Sequence, residues 1–298
     1  MRRRIIKQGA ATLTISLPSK WAKQHNLKGG DELELEENNN NLTISAIKAA
    51  TILRDGIDLQ KSPHIAKAVI QSRYIKGIDE MEIAVSNREQ AKRVQEIIRG
   101  IQGLEVIKQT KNTLVVKDMT AGTLDIDPLV RRIFHMVLTA GQEALSAFKT
   151  RETDLAYLED MEQSINRVTN LCLRIINRQG AESHPKITAL YTICFLLESI
   201  ADEMKELLEF IRVQKVVLSS DAITVYSSLL NYLKQLEETI YNFSYEKANM
   251  MGKTYEAVLM AIQTKLLKKS KEETVVLMYF KNILEFAIWA MNQRLIIA

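Results

Sequence analysis

The spacing of hydrophobic residues changes along the chain, and the first fifty residues have the pattern of a small β-rich module. Residues 12–17 and 32–36 alternate polar and apolar side chains, as half-buried β-strands do. Between them, Pro18 opens a short segment that closes on a Gly-Gly pair, an arrangement typical of a helix. Residues 42–45 follow a run of asparagines and are predicted to pair with 32–36 in a hairpin.

The rest of the chain is predicted to be first mixed and then helical. Residues 51–122 alternate helical and strand patterns, which indicates a small α/β connector. Asp127 is a favourable helix cap and Pro128 suits the first helical position. From there to residue 298 the sequence predicts helices. In the second and third of these helices apolar residues recur at spacings of three and four, the pattern of an antiparallel bundle. Six helices are expected, near residues 128–148, 153–178, 185–212, 220–248, 252–269 and 272–296.

These patterns predict a multidomain α+β protein. The expected domains are residues 1–50, 51–122 and 123–298. A module of about fifty residues buries too little apolar surface to fold securely alone, so we expect it to intertwine with a second copy.

Charge distribution points to a partner for the first module. The chain has a net charge of only +4, yet residues 1–30 contain seven lysines and arginines and no Asp or Glu. Such a segment attracts phosphate groups and favours double-stranded DNA as the partner. The alternative, an ordinary solvated basic face, stays open at this point. The candidate DNA-contacting residues are Arg2, Arg3, Arg4, Lys7, Lys20 and Lys23.

Other functional classes lack their characteristic residues. Cys172 and Cys194 stand far apart with no histidine at ligand spacing, so a zinc site is not predicted. The four histidines have no partner at catalytic spacing, and no glycine-rich phosphate loop occurs, so no enzyme is expected. No apolar stretch suggests a signal peptide or membrane span. We therefore expect a cytoplasmic protein that does not insert into membranes.

Two segments resemble known families. The run Leu13-Thr14-Ile15-Ser16-Leu17-Pro18-Ser19-Lys20-Trp21-Ala22-Lys23, continued by Leu27-Lys28-Gly29-Gly30-Asp31-Glu32-Leu33, resembles the SpoVT/AbrB-type swapped-hairpin DNA-binding domain. The run Leu197-Glu198-Ser199-Ile200-Ala201-Asp202 resembles the phosphate-uptake regulator (PhoU) family. Their order along the chain is similar to that of fused archaeal regulators. The resemblance implies a homodimer with a DNA-binding β-barrel, joined through the connector to a PhoU-like pair of three-helix bundles.

The PhoU resemblance also implies a metal. In that family a Glu-x-x-x-Asp repeat holds a multinuclear divalent or ferric metal on the bundle surface, and Glu198 and Asp202 match it. In the second helix Glu162 is followed by Asn166 where the family has Asp, and in the sixth Trp289 stands beyond Glu285. An amide is a weaker ligand than a carboxylate and an indole is none. The resemblance therefore implies at most one site, at Glu162, Asn166, Glu198 and Asp202, with a solvated helix face as the alternative.

The leading hypothesis is a DNA-binding transcriptional regulator of phosphate uptake whose helical domain receives the signal. The alternative is a signalling adaptor that binds a phosphate transporter or its sensor, with the N-terminal barrel serving only to dimerise. A third hypothesis is an antitoxin, because swapped-hairpin domains occur in antitoxins. Antitoxins are generally short, however, whereas here a long stretch with helical patterning follows the module.

Overall fold

The chain divides into two compact units, Met1–Ile52 and Leu53–Ala298. The structure, a computed structural model, describes residues 3–9, 12–38, 41–46, 52–120, 125–150, 155–179, 185–266 and 270–298. The first unit is small and rich in strands, and the second is mostly helical. The predicted sequence of a β-rich region followed by a long helical region is confirmed at this level.

The first unit contains two hairpins with a short helix between them. Its elements are β1 (Ile5–Gln8), β2 (Thr12–Ile15), α1 (Ser19–Gln24), β3 (Leu33–Asn38) and β4 (Asn41–Ala46). β1 pairs antiparallel with β2, and β3 pairs antiparallel with β4, as two separate sheets. The alternation of residues predicted β2, β3 and β4, but β1 was missed because two consecutive isoleucines break the period of two. The closed barrel stays a prediction.

The second unit begins with an α/β layer. Its elements are β5 (Arg54–Asp58), a 3₁₀ turn (Pro63–Ile65), α2 (Ala66–Ile75), β6 (Glu80–Ala84), α3 (Arg88–Arg99), β7 (Leu104–Gln109) and β8 (Thr113–Asp118). The strand order is β5-β6-β8-β7, with β5 parallel to β6 and the other pairs antiparallel. Ile70 and Tyr74 of α2 join Ile83 of β6 and Val116 of β8 in one apolar core, which holds helix and sheet together.

Six long helices form the remainder of the described chain. They are α4 (Ile126–Thr150), α5 (Leu155–Gln179), α6 (Pro185–Gln214), α7 (Ser220–Tyr241), α8 (Tyr245–Leu266) and α9 (Lys271–Ile296). α4, α5 and α6 pack against one another, as do α7, α8 and α9, and the two groups meet where α6 contacts α9 and α4 contacts α7. All six contribute to one continuous hydrophobic core. Assignment to a PhoU-like bundle pair stays a prediction.

The break between α7 and α8 differs from the prediction. The predicted helices 220–248 and 252–269 place it at residues 249–251. Instead α7 ends at Tyr241, and the Ser244 hydroxyl accepts a hydrogen bond from the Lys247 N–H at 3.2 Å. A serine at this position satisfies a free N–H at the start of a helix. Capping therefore decides the boundary, and Gly252 lies within α8.

A buried arginine joins the α/β layer to α5. The Arg174 guanidinium contacts Asp79 at 2.7 Å and Asp118 at 2.8 Å, and it donates to the Tyr74 and Ile78 carbonyls, each at 2.8 Å. It also lies 4.9 Å from the centre of the Tyr74 ring. Arg178, one turn later, donates to Asp79 at 2.9 Å. This network fixes how the layer sits on the helices.

By length and composition, α9 is the one helix among the described residues that is long and apolar enough to cross a membrane. The expectation that no apolar stretch is long enough to span a membrane was therefore wrong for α9. Its composition alone is weak evidence for a span, because the core helix of a soluble protein passes the same test. Val276, Phe280, Ile283 and Ala287 of this helix are fully buried in the core of the second unit, which accounts for its apolar character.

Candidate functional site

The basic residues of the first unit are exposed where the structure describes them. Arg3 and Arg4 precede β1, Lys7 lies in β1, and all three side chains are exposed. Arg2 lies outside the described residues. Lys20 and Lys23 are exposed on α1, where a spacing of three places them on one face. The described members of the predicted DNA-contacting set are therefore open to solvent.

Among the described residues, none of these side chains forms an ion pair with a carboxylate. Asp31, the first acid in the chain, accepts a hydrogen bond from the Lys28 backbone N–H at 2.7 Å. It therefore stabilises the turn after α1. The positive charges are left available to an external anion such as a DNA phosphate.

The first unit also exposes much of its apolar surface. Ile5, Ile6 and Leu13 are 65%, 59% and 65% exposed, and Leu35 and Leu42 are each 60% exposed. No described side chain between residues 3 and 46 is buried. So many exposed large apolar side chains on a small unit are typical of an interaction surface. Within its described residues, a single copy of the unit therefore lacks the core that a stable fold requires.

The four predicted metal-ligating residues come together in the second unit. Glu162 and Asn166 lie on α5, Glu198 and Asp202 lie on α6, and all four line one cavity of about 250 Å³. Other charged residues share its wall, namely Lys67, Lys205 and Glu206. Sequence spacing alone placed each pair on a helix face, and the packing of α5 on α6 brings the two pairs together.

The side chains in this cavity do not fit a metal as they are arranged. The Lys205 ammonium donates to Glu162 at 3.2 Å, and the Asn166 amide donates to the other oxygen of the same carboxylate. Both Glu162 oxygens are thus engaged, and the positive charge that a metal would supply comes from a lysine. Within the part of the chain that the structure describes, no group of three or more His, Cys, Asp or Glu side chains is placed to hold a metal ion.

Burial and the closeness of other carboxylates raise the pKa of two carboxyl groups in this cavity. Burial, and after it the nearby Asp202 and Glu162 carboxylates, raise the pKa of Glu198 to about 7. Burial and Glu162 also raise the pKa of Asp202. Each shift disfavours the charged form. Glu198 and Asp202 therefore bind protons at higher pH than separate surface carboxylates do.

Sequence reasoning missed both lysines of this cavity. Lys205 follows Asp202 by three positions, so it lies on the same side of α6 and helical spacing could have identified it. Lys67 belongs to α2 in the α/β layer. No local pattern connects α2 to α6, so only the tertiary fold shows that Lys67 reaches the cavity.

Comparison with known proteins gives one match. The family model described as antidote-toxin recognition MazE, bacterial antitoxin, matches residues 6–51. No curated protein and no solved structure matches the chain. The match supports the SpoVT/AbrB-type part of the resemblance, because it covers the same hairpins and helix. It does not reach the helical region, where the PhoU resemblance stays a prediction.

The first unit is therefore a MazE/AbrB-like module, and such modules typically dimerise and bind DNA. Its exposed basic residues and exposed apolar surface are consistent with a DNA-binding regulator.

Proposed function

We propose that this protein is a transcriptional regulator whose first unit binds duplex DNA as a homodimer. The observation that carries the proposal is the set of exposed, unpaired basic side chains on a unit matched by the MazE family model. Arg3, Arg4 and Lys7 at β1, with Lys20 and Lys23 on α1, contact phosphates and base edges. Arginine is the commoner reader of guanine, whereas lysine acts mainly as a point charge on phosphate.

The proposed dimer follows from the apolar surface of the first unit. Ile5 and Leu13 lie on the same face of the paired strands β1 and β2, and each is 65% exposed in one copy. A second copy that covers them supplies the missing core. Changing Leu13 to Glu should shift full-length protein toward monomer in light scattering. Changing the exposed Met260 of α8 to Glu is the control, and an equal effect of both changes would count against this interface.

The DNA-binding experiment compares the native chain with a triple variant, Arg3→Ala, Arg4→Ala and Lys7→Ala, by fluorescence anisotropy across a salt series. Probes are duplexes from upstream of the protein's own gene and of phosphate-transport genes. The plot of log affinity against log salt has a negative slope, and each lost phosphate contact makes it shallower by about 0.9. The matched control removes exposed charge from the second unit, through Lys92→Ala and Arg93→Ala. Unchanged affinity and slope in the triple variant would refute the proposal.

The helical part of the second unit is the proposed signal-receiving module, and phosphate status is the proposed signal. Support comes from the PhoU-like run at residues 197–202 and from the charged cavity that Glu198 and Asp202 line. The proposed location is the cytoplasm, without insertion into a membrane. Reporter expression from a bound promoter under high and low phosphate tests this role, and a response unaffected by phosphate would remove it.

Two other functions remain as outcomes of these experiments. A chain that dimerises but binds no DNA would favour an adaptor for a phosphate transporter or its sensor, with the first unit serving only to dimerise. The name of the matching family favours an antitoxin as a second candidate. That function predicts that expression of the chain protects cells from a co-encoded toxin. The regulator predicts no such protection.

A further inference from the structure

A large cavity in the second unit lies between the α/β layer and the helices. It has a volume of about 580 Å³, within the range of roughly 300–1,000 Å³ typical of small-molecule sites. One wall is formed by the end of α3 and the start of β7, and the other by α4 and α5. Most such pockets are lined mainly by apolar side chains. Here polar and charged groups dominate the lining, which favours a charged ligand.

Three arginines from three different helices line this cavity. They are Arg99 of α3, Arg132 of α4 and Arg167 of α5. The only carboxylate among the lining residues is that of Glu105, and none of the three guanidinium groups forms an ion pair with it or with any other described carboxylate. The cavity therefore carries an excess of positive charge.

Other arginines of α5 show the contrast. Arg174 and Arg178, two and three turns after Arg167, are paired with aspartates of the α/β layer. Arg167 instead donates to the Ser164 hydroxyl at 3.1 Å, and that hydroxyl donates to the Asp160 carbonyl at 2.9 Å. The hydrogen bond holds the guanidinium in place without neutralising it. Its remaining donors are free to bind an external anion.

We propose that this cavity binds a small molecule that carries phosphate groups. A guanidinium presents a planar fork that matches two phosphate oxygens, and three such groups around one space suit a polyanion. Its volume holds a ligand of nucleotide size. Because α3 belongs to the α/β layer and α4 and α5 to the helices, the ligand bridges both parts of the second unit. The proposal does not depend on DNA binding by the first unit.

The test is isothermal titration calorimetry of the full chain with ATP, pyrophosphate and inorganic phosphate. Arg99→Ala, Arg132→Ala and Arg167→Ala should each weaken binding roughly tenfold to a hundredfold, as expected for loss of hydrogen bonds to a charged group. Arg93→Ala, an exposed change on α3 away from the cavity, should bind as the native chain does. Circular dichroism verifies that each variant is folded.

Each outcome has one meaning. Saturable binding by ATP alone identifies a nucleotide site, and binding by pyrophosphate or inorganic phosphate identifies a site that reads the phosphate group itself. The triple variant at Arg3, Arg4 and Lys7 should bind these probes normally, which separates this cavity from the DNA-binding surface. Absence of saturable binding by all three probes overturns the proposal. Equal weakening by Arg93→Ala, or loss of DNA binding instead of probe binding in Arg167→Ala, also overturns it.

Discussion

Replacing Arg174 with methionine should destabilise the second unit strongly. The side chain is 5% exposed, and methionine retains much of its volume while removing the charge and the donors. Asp79 keeps its contact with Arg178, but Asp118, 9% exposed, loses its only ion-pair partner among the described residues. Two buried carbonyls also lose a donor. Breaking a buried pair by removing one member costs about 3–5 kcal/mol, and we expect a loss of that size.

The assay is urea unfolding of the full chain followed by circular dichroism. The matched control is Arg178→Met, because this neighbouring arginine is 31% exposed and its pairing is worth no more than about 1 kcal/mol. Adding Asp118→Asn to Arg174→Met should recover part of the loss, since it removes the carboxylate left without a partner. A loss no larger for Arg174→Met than for the control, with no recovery in the double variant, would refute this account of the network.

Two further predictions concern pH and backbone conformation. Because the pKa of Glu198 is raised to about 7 in the folded state, folding takes up a proton between its ordinary pKa and that value, so this group lowers stability as pH rises through the window. Glu198→Gln should raise stability at about pH 8 and leave it nearly unchanged at about pH 4, below the ordinary pKa of the carboxyl, as measured by urea midpoints; equal effects at both pH values would contradict this. Gly103 has φ +82°, and an added Cβ would lie 2.1 Å from the Thr120 hydroxyl and 2.7 Å from Asp118. Gly103→Ala should therefore cost more than about 1 kcal/mol in the same assay, whereas Gly252→Ala, in open space within α8, should be neutral or stabilising.

Hydrophobic periodicity predicted the helices and strands in which buried residues recur at a regular spacing along the sequence. In α6, apolar residues at spacings of three and four predict a core seam. Ile193, Leu197, Ile200, Met204 and Leu207 of that series are buried, and Leu190 and Ile211 at its ends are half-buried. Local patterns failed where a different interaction decides the structure. The start of α8 depends on a capping hydroxyl, and β1 contains two consecutive isoleucines that do not alternate.

Among the candidate sites, some features follow from local sequence and others depend on the tertiary fold. The exposure of Lys20 and Lys23 follows from their spacing on a short helix, so sequence reasoning was sufficient. The contacts of Arg174 join residues about a hundred positions apart in the chain, and the arginine cavity draws on three helices. No window of sequence contains both sides of either arrangement. Such sites depend on the tertiary fold, and local patterns alone do not reveal them.

The single core shared by α4 to α9 limits how the second unit responds to a signal. If one group of three helices moved against the other, side chains where α6 meets α9 would be exposed to water, and tightly packed interiors do not deform gradually. The six helices are therefore expected to move as one body. The α/β layer is held on α5 by the Arg174 network, and the arginine cavity lies across the same boundary. An anion bound there would add a second link between the layer and the helices, so occupancy would stabilise the second unit as a whole.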